Sequence, residues 1–381
     1  MAVNQSTRIE RLKLIQKASF IDAFLFTSSS TITCLSGHFF NFEIGPNPFQ
    51  LIPAALLMAQ GHPSSLVLAD NEAYEPCGIG AGISIKKYAS YQYKNPLDYT
   101  AKFVLKLQEA LKELDLSQAR IGIEQDSLPY VASQAILAVY PNVVFVDVSE
   151  EVVCLKAVKD ADEIDQIRKA TVLCDIGQAA VLKHAKVGMT ELELFSLIRT
   201  EMEATVGTRV PIMLDLVSGA RTEEGGGVPS NNIIKEGDLV LSDLTPCLNG
   251  YWGDTCNTII VGKPSAEQSK HFQLIESALQ AAIDFIKPGV KANEVDQLLR
   301  KMLSSVGEYG HHSGHGVGTK NHEEPRIVPY NEMVIKENMV IALEPAIYSN
   351  GYGIRLEHLI LVTQTGCETI SKFKHCFEQK S

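Results

Sequence analysis

What this 381-residue chain has little of already excludes several classes of function. No block of Lys and Arg offsets its net charge of −11 and pI near 5.4, which argues against nucleic acid or an anionic membrane surface as a partner. Its longest apolar runs, such as LIPAALLMA (51–59), are too short to span a bilayer. The cysteines, at 34, 77, 154, 174, 247, 256, 367 and 376, form no CxxC pair, so a cysteine–zinc site has no support and reduced thiols in a cytoplasmic protein are expected. The N-terminal stretch MAVNQSTRIERLKLIQK is amphipathic and charged and lacks the apolar core of a signal peptide. What is present is ordinary globular composition, 45% apolar and 21% charged, at a length that suits two domains.

Residues 1–155 alternate short apolar runs with helical patterns. DAFLFTS (22–28), SLVLAD (65–70), RIGIEQ (120–125) and NVVFVDVS (142–149) read as strands, with helices over 97–114 and 128–139, so an α/β domain is expected. The charged stretch KAVKDADEIDQIRKA (156–170) opens a long amphipathic helix, with Asp160 or Asp162 as N-cap, and the second domain is placed at 156–381. That half carries a weak internal repeat. KVGMTELELFSLIRTEM (186–202) matches KPGVKANEVDQLLRKML (287–303) at an offset of 101 residues, so a functional residue in one copy should have a counterpart 101 positions on.

Each copy precedes a β-hairpin. In GDLVLSDLTPCLNGYWGDTCNTIIVG (237–262), a turn centred between Leu248 and Asn249 sets Asp243 directly opposite Asp254, about 5 Å apart at Cβ, whereas a turn on Asn249-Gly250 makes the pair diagonal on the same face. In VIALEPAIYSNGYGIRLEHLILV (340–362), Asn350-Gly351 signals a type I′ turn that pairs Glu344 with Glu357. Asp243 plus 101 is Glu344; Asp254 falls two short of Glu357, which a longer second turn would explain. Opposed carboxylates in Leu-, Val- and Ile-rich strands must be splayed into solvent, protonated, paired with cations or bound to metal. HHSGHGVGTKNHEEP (311–325) adds four of the ten histidines. Four acidic ligands and one imidazole suit two divalent metals sharing bridging carboxylates, with Mn²⁺, Fe²⁺, Co²⁺ and Zn²⁺ all possible.

The set Asp243, Asp254, His315, Glu344 and Glu357 resembles the ligand set of the M24 pita-bread metallohydrolases, which include aminopeptidase P, prolidase, methionine aminopeptidase and creatinase. SGHGVGTKNHEEP, IALEPAIY and GIRLEHLILVT resemble the family's histidine and glutamate motifs over roughly 156–370, and TITCLSGHFF (31–40) resembles the N-terminal domain of the two-domain members. The resemblance implies a creatinase-type α/β N-terminal domain followed by an α+β pita-bread catalytic domain with a pseudo-twofold repeat. It implies that Asp243 holds one metal, His315 and Glu344 the other, and that Asp254 and Glu357 bridge them, manganese being expected ahead of cobalt, iron or zinc. A water or hydroxide between the metals would be the nucleophile, with Glu344 shuttling its proton, His322 facing the substrate carbonyl or oxyanion, His311 lining the pocket and Arg355 orienting the carboxylates. His312 and His358 match no role and are assigned either to the surface or to positions supporting the ligands from behind, while Glu294 and Asp296 are taken as a solvated helix face. A homodimer acting on a small peptide or small-molecule amide or amidine is implied.

One residue departs from the pattern. Relatives usually carry a substrate-facing histidine in a PHxxPS loop; here the loop is SGARTEEGGGVPSNN (218–232), Gly226 takes the histidine's place, and no histidine lies between His184 and His271. The run of glycines permits close backbone approach. Asn257 stands where arginine is common, and Arg120 is the one arginine of residues 12–155, leaving few guanidinium groups to clamp a substrate carboxylate. The expected function is therefore a dinuclear Xaa-Pro peptidase. A metal-dependent hydrolase of a guanidino or cyclic amidine C–N bond is the alternative favoured by Gly226, and a non-catalytic binding module is the third reading.

Overall fold

The structure is a computed structural model, described here for residues 6–40, 54–70, 82–114, 116–307 and 309–379; Cys77 and the first residues of the run at 51–59 lie outside these. The chain forms two compact units, Met1–Lys156 with Asp160–Asp162, and Ala157–Lys159 with Glu163–Ser381. No helix among the described residues is long and apolar enough to cross a membrane, and the described cysteines are free thiols.

The first unit contains α1 (Ser6–Ala18), β1 (Ala23–Phe26), α2 (Ser29–Ser36), β2 (Ala55–Ala59), β3 (Ser64–Ala69), β4 (Ile83–Tyr88), α3 (Tyr99–Lys112), β5 (Arg120–Ile123), α4 (Tyr130–Val139), β6 (Val144–Asp147) and α5 (Ser149–Ala157, whose last residue belongs to the second unit). The six strands make one mixed sheet in the order β4-β3-β2-β1-β5-β6. Apolar residues of both faces are buried: Leu25, Leu57 and Val67 pack with Phe103 and Ile136, and Phe24, Leu56 and Leu66 pack with Leu35 and Val152. A sheet covered on both sides explains why its strands read as continuous apolar runs. Arg120 donates to the carbonyls of Ser19 and Phe20, so it closes a turn inside this unit.

The charged stretch at 156–170 is divided between the end of α5 and the start of α6 (Ala161–His184), so the expected single helix begins later. Asp160 stands just before α6, and its carboxylate accepts from the Arg8 backbone N–H at 3.0 Å and from Arg8 and Arg11 guanidinium groups at 3.3 and 3.1 Å.

The second unit continues with α7 (Glu191–Val206), β7 (Ile212–Ser218), a 3₁₀ turn (Gly219–Glu224), β8 (Asp238–Leu248), β9 (Tyr251–Trp252), β10 (Thr255–Val261), α8 (Ala266–Phe285), α9 (Ala292–Leu303), β11 (Gly314–Gly316), β12 (Glu323–Ile327), β13 (Val340–Leu343), β14 (Ala346–Ser349), β15 (Tyr352–Arg355), β16 (His358–Val362) and β17 (Cys367–Thr369). One sheet runs β10-β8-β7 with β9 on β8, another runs β12-β11-β13-β16-β17, and β14 pairs with β15.

The repeat is realised in the backbone. Gly188 N–H donates to Ile234 O, and Gly289 N–H to Ile335 O; Gly237 N–H donates to Val261 O, and Asn338 N–H to Val362 O. Each second member lies 101 residues after the first. Both hairpins turn on Asn-Gly: Asn249 and Gly250 have φ of 53° and 81°, and Asn350 and Gly351 have 60° and 82°, the left-handed pair of a type I′ turn.

The two turns are thus equivalent, which corrects the expectation of a longer second one. What differs is where the second acid sits. In the first hairpin Asp243 faces Cys256 and Asp254 is diagonal to it, just outside β10. In the second, Leu343 faces His358 and Ala346 faces Arg355, so Glu344 and Glu357 oppose each other at the break between the two ladders.

Candidate active site

Sixteen residues line a cavity of about 360 Å³ in the second unit, among them Asp243, Asp254, His315, Glu344, Glu357, His311, His322 and Arg355. The residues that the motifs single out in separate segments therefore converge. Gly226 does not line it, but its neighbours Gly225 and Glu224 do.

His315 lies on β11, which is squeezed between β12 and β13. A Cβ on Gly314 would collide with Ala342 O, and one on Gly316 with Glu324 O, so the glycines of the HSGHGVG stretch serve close strand packing. The ring is 1% exposed. Its Nδ1 lies 3.0 Å from Gly316 O, a contact that only an N–H can make, so Nε2 carries the lone pair, 3.5 Å from both Asp254 Oδ2 and Glu344 Oε1. Burial holds its pKa down, to about 3, so the imidazole is neutral at pH 7.

The carboxylates have few partners. Asp254 accepts from Thr245 Oγ1 at 3.2 Å, and Asp243 accepts from Arg355 Nη2 at 2.6 Å. Glu357 is 1% exposed, and its buried Oε2 has no hydrogen-bond partner. Burial, and after it the neighbouring carboxylates, push Asp254 and Glu357 well above the usual range. Burial also raises Asp243 to about 6, although Arg355 opposes the shift. Burial acts to raise Glu344 as well, but His312 Nε2 at 2.8 Å, with His315 and Arg355, outweighs it and holds the group near 2.

This donor set fits divalent cations. Ligand atoms of Asp254, His315 and Glu357 lie within 4.8 Å of one another, and the cavity lining sets six acidic residues, these two acids among them, against one guanidinium. An orphaned buried carboxylate oxygen beside three more acids is unfavourable without a cation.

The expected His311 and His322 are joined at the cavity by residues with no assigned role in the sequence, His312 and Asp215. His312, expected either at the surface or behind the metal ligands, takes the second place: it lines the cavity and contacts Glu344, and its Nδ1 lies 3.0 Å from Arg326 Nη1. The rings of His322 and His315 are 4.0 Å apart, and partial burial of an otherwise exposed residue, then Arg326 and His312, lower the His322 pKa to about 4. His311 places Nε2 3.1 Å from the Tyr348 hydroxyl, which also accepts from Arg355 Nη1 at 3.2 Å. Asp215 faces Asp243 directly across β7 and β8. His358 lies outside the cavity, bonded to Ser371 Oγ at 2.8 Å. Asn257 also lies outside, donating to Cys376 O.

Two buried acids hold the flanking loops. Asp296 is fully buried rather than solvated; it accepts from Ser313 Oγ at 2.6 Å and Arg300 Nε at 3.0 Å. Glu191, also fully buried, accepts from the backbone N–H of Ser218 and Ser230 at 2.7 and 3.0 Å and pairs with Arg221, so it ties both ends of the loop bearing Gly226. An Asp or Glu on an otherwise amphipathic helix gives no sequence sign of this.

A model for metallopeptidase family M24 matches residues 165–364, and one for the creatinase/prolidase N-terminal domain matches residues 8–158. A Xaa-Pro dipeptidase of Pyrococcus furiosus is 34% identical over 223 residues, covering 57% of this chain and 64% of that protein. A Xaa-Pro dipeptidase of Pyrococcus horikoshii is 32% identical over 271 residues, covering 70% of this chain and 77% of that protein. The solved structure of a Xaa-Pro dipeptidase from Bacillus anthracis superposes with a TM-score of 0.82 at 25% identity, covering 98% of this chain and 99% of that one.

Proposed function

The chain belongs to metallopeptidase family M24, and from that premise we propose that it is a dinuclear, metal-dependent Xaa-Pro peptidase acting on small peptides. The observation that carries the reading is the meeting of four carboxylates and one neutral imidazole in one cavity, with Glu357 Oε2 buried and unpartnered. Asp243 would hold one divalent ion, His315 and Glu344 the second, and Asp254 and Glu357 both. Such a pair of ions supplies Lewis acidity and a water of lowered pKa. Manganese is the ion proposed first, ahead of cobalt, iron and zinc.

The chain's own groups divide the remaining work. Glu344, ionised and hydrogen-bonded by His312, is the acceptor for the proton of the attacking water. His322, neutral at pH 7, can donate a hydrogen bond to the substrate carbonyl as its oxygen gains charge. Arg355 holds Asp243 Oδ2 and fixes the loop through Gly225 O at 2.5 Å. His311, braced by Tyr348, walls the pocket. We extend the reading to a creatinase-type domain at 1–155, a catalytic domain at 156–381, a cytoplasmic location and a homodimer, the last to be checked by sedimentation.

The test is a substrate panel with Mn²⁺, Co²⁺, Fe²⁺ and Zn²⁺ added separately. Turnover of Xaa-Pro dipeptides or Xaa-Pro-Yaa peptides at about 1–1,000 s⁻¹ supports the reading. Turnover confined to guanidino acids or cyclic amidines overturns it.

A further inference from the structure

We propose that Asp215 and Glu224, both of which line the cavity, form an anionic subsite that selects substrates whose residue N-terminal to the scissile bond carries a positively charged side chain. This rests on the Xaa-Pro peptidase reading of the same cavity and specifies its substrate class.

Asp215 and Asp243 face each other across β7 and β8. Like charges at that spacing repel unless a cation intervenes. Arg355 intervenes unequally, with Nη2 2.6 Å from Asp243 Oδ2 but 4.0 Å from Asp215 Oδ2. Its Nη1 is committed to Gly225 O and the Tyr348 hydroxyl. Asp215 is thus left with the weaker share of the guanidinium, and its side chain is 43% exposed where it lines the cavity.

Gly226 makes room for this carboxylate. A Cβ there would collide with Asp215 Oδ2, and with φ of 152° the position already disfavours a side chain. The loop presents no side chain at this point, and an acid from the adjoining strand takes the space. Met213 shares the strand face of Asp215 and is 46% exposed, an apolar strip for the methylene stem of lysine or arginine. Glu224, on the loop, also lines the cavity. Two divalent ions would balance Asp243, Asp254, Glu344 and Glu357, leaving Asp215 and Glu224 against Arg355 alone, so the wall carries a net negative charge.

The probes are Lys-Pro, Arg-Pro, Glu-Pro and norleucyl-proline, the last matching lysine in bulk without its charge. With metal-loaded protein, kcat/KM for Lys-Pro should exceed that for norleucyl-proline by about tenfold, mostly through KM, with Glu-Pro lowest. Asp215→Asn should bring the Lys-Pro to norleucyl-proline ratio close to one, and Glu224→Gln, in the exposed loop, should lower it part of the way. A wild-type ratio near one, a ratio that survives in Asp215→Asn, or an equal loss on both dipeptides in that variant overturns the subsite while leaving Xaa-Pro cleavage standing. Calorimetric binding of the same dipeptides to metal-loaded protein separates the other failure. Charge-selective binding without turnover supports the subsite and removes the peptidase reading; neither selective binding nor turnover removes both.

Discussion

Asp296 and Ser313 are joined by a 2.6 Å hydrogen bond beneath the histidine loop, and the Ser313 carbonyl accepts the Glu344 N–H at 3.0 Å. Arg300, held by the same aspartate, donates to Tyr309 O at 2.9 Å and His311 O at 2.8 Å. One buried acid on α9 thereby sets the backbone that carries His311, His312 and Glu344. Asp296→Ala should cost about 2–4 kcal/mol, because Ser313 Oγ and Arg300 lose a buried partner. Activity should fall by roughly 10- to 100-fold, the scale of a lost support behind a ligand. Asp296→Asn keeps the acceptor for Ser313 and should lose less on both counts. Urea unfolding with kcat/KM measured below the transition checks this; equal stability and activity in all three proteins would refute it.

Gly226→His, the change that restores the usual residue of the loop, should not improve the enzyme. The new Cβ meets Asp215 Oδ2, so overpacking of about 1–3 kcal/mol is expected, and activity should drop with it. Asp215→Gly in the same chain should recover only part of that stability, since it removes the contact but leaves the backbone at φ of 152°, and the two sites in contact should not be additive. A double-mutant cycle on thermal unfolding measures the coupling, and a coupling near zero would place the loop differently.

The order of this site along the chain was legible because local signals dominate it. The Asn-Gly dipeptides at 249–250 and 350–351 fix both hairpin turns, and the 101-residue offset recurs in the positive φ of Gly188 and Gly289, 87° and 99°. The pairing of Asp243 was open between two registers, and the Asn249-Gly250 turn selects the diagonal one. His312, Asp215 and Asp296 escaped for one shared reason. His312 depends on where Glu344 lies, Asp215 on the register of β7 against β8, and Asp296 on a serine seventeen residues away that is folded beneath α9. Tertiary packing turns an ordinary polar residue into a participant, and no local period records it.

Metal removal should be coupled to protons. In the metal-free protein burial and mutual repulsion keep Asp254 and Glu357 protonated well above the usual carboxylate range, and burial keeps Asp243 near pKa 6. Ion binding must displace those protons, so affinity should rise with pH. Calorimetry with Mn²⁺ in buffers of different ionisation enthalpy should show proton release. Chelation should lower thermal stability, by about 3 kcal/mol relative to protein held at an ion concentration 100 times the Kd. Glu357→Gln, which removes one bridging charge, should lower the bound stoichiometry below two. Ion binding without proton release at pH 6 would contradict the assignment of these carboxylates.

The first unit should fail in acid through His38. Its ring is 3% exposed, its Nε2 has no hydrogen-bond partner, and burial depresses its pKa from 6.5 to about 4. The folded state thus holds fewer protons than the unfolded chain between pH 6.5 and 4, which makes stability rise with pH over that window. The contribution is present above pH 6.5 and is lost as pH falls toward 4, at most roughly 3 kcal/mol. His38→Phe keeps an aromatic ring beside Phe40, whose centroid lies 4.7 Å away, and removes the titration. Urea midpoints between pH 4 and 7 should fall less steeply in the variant. Parallel curves for the two proteins would mean that the imidazole is reached by solvent in the folded state.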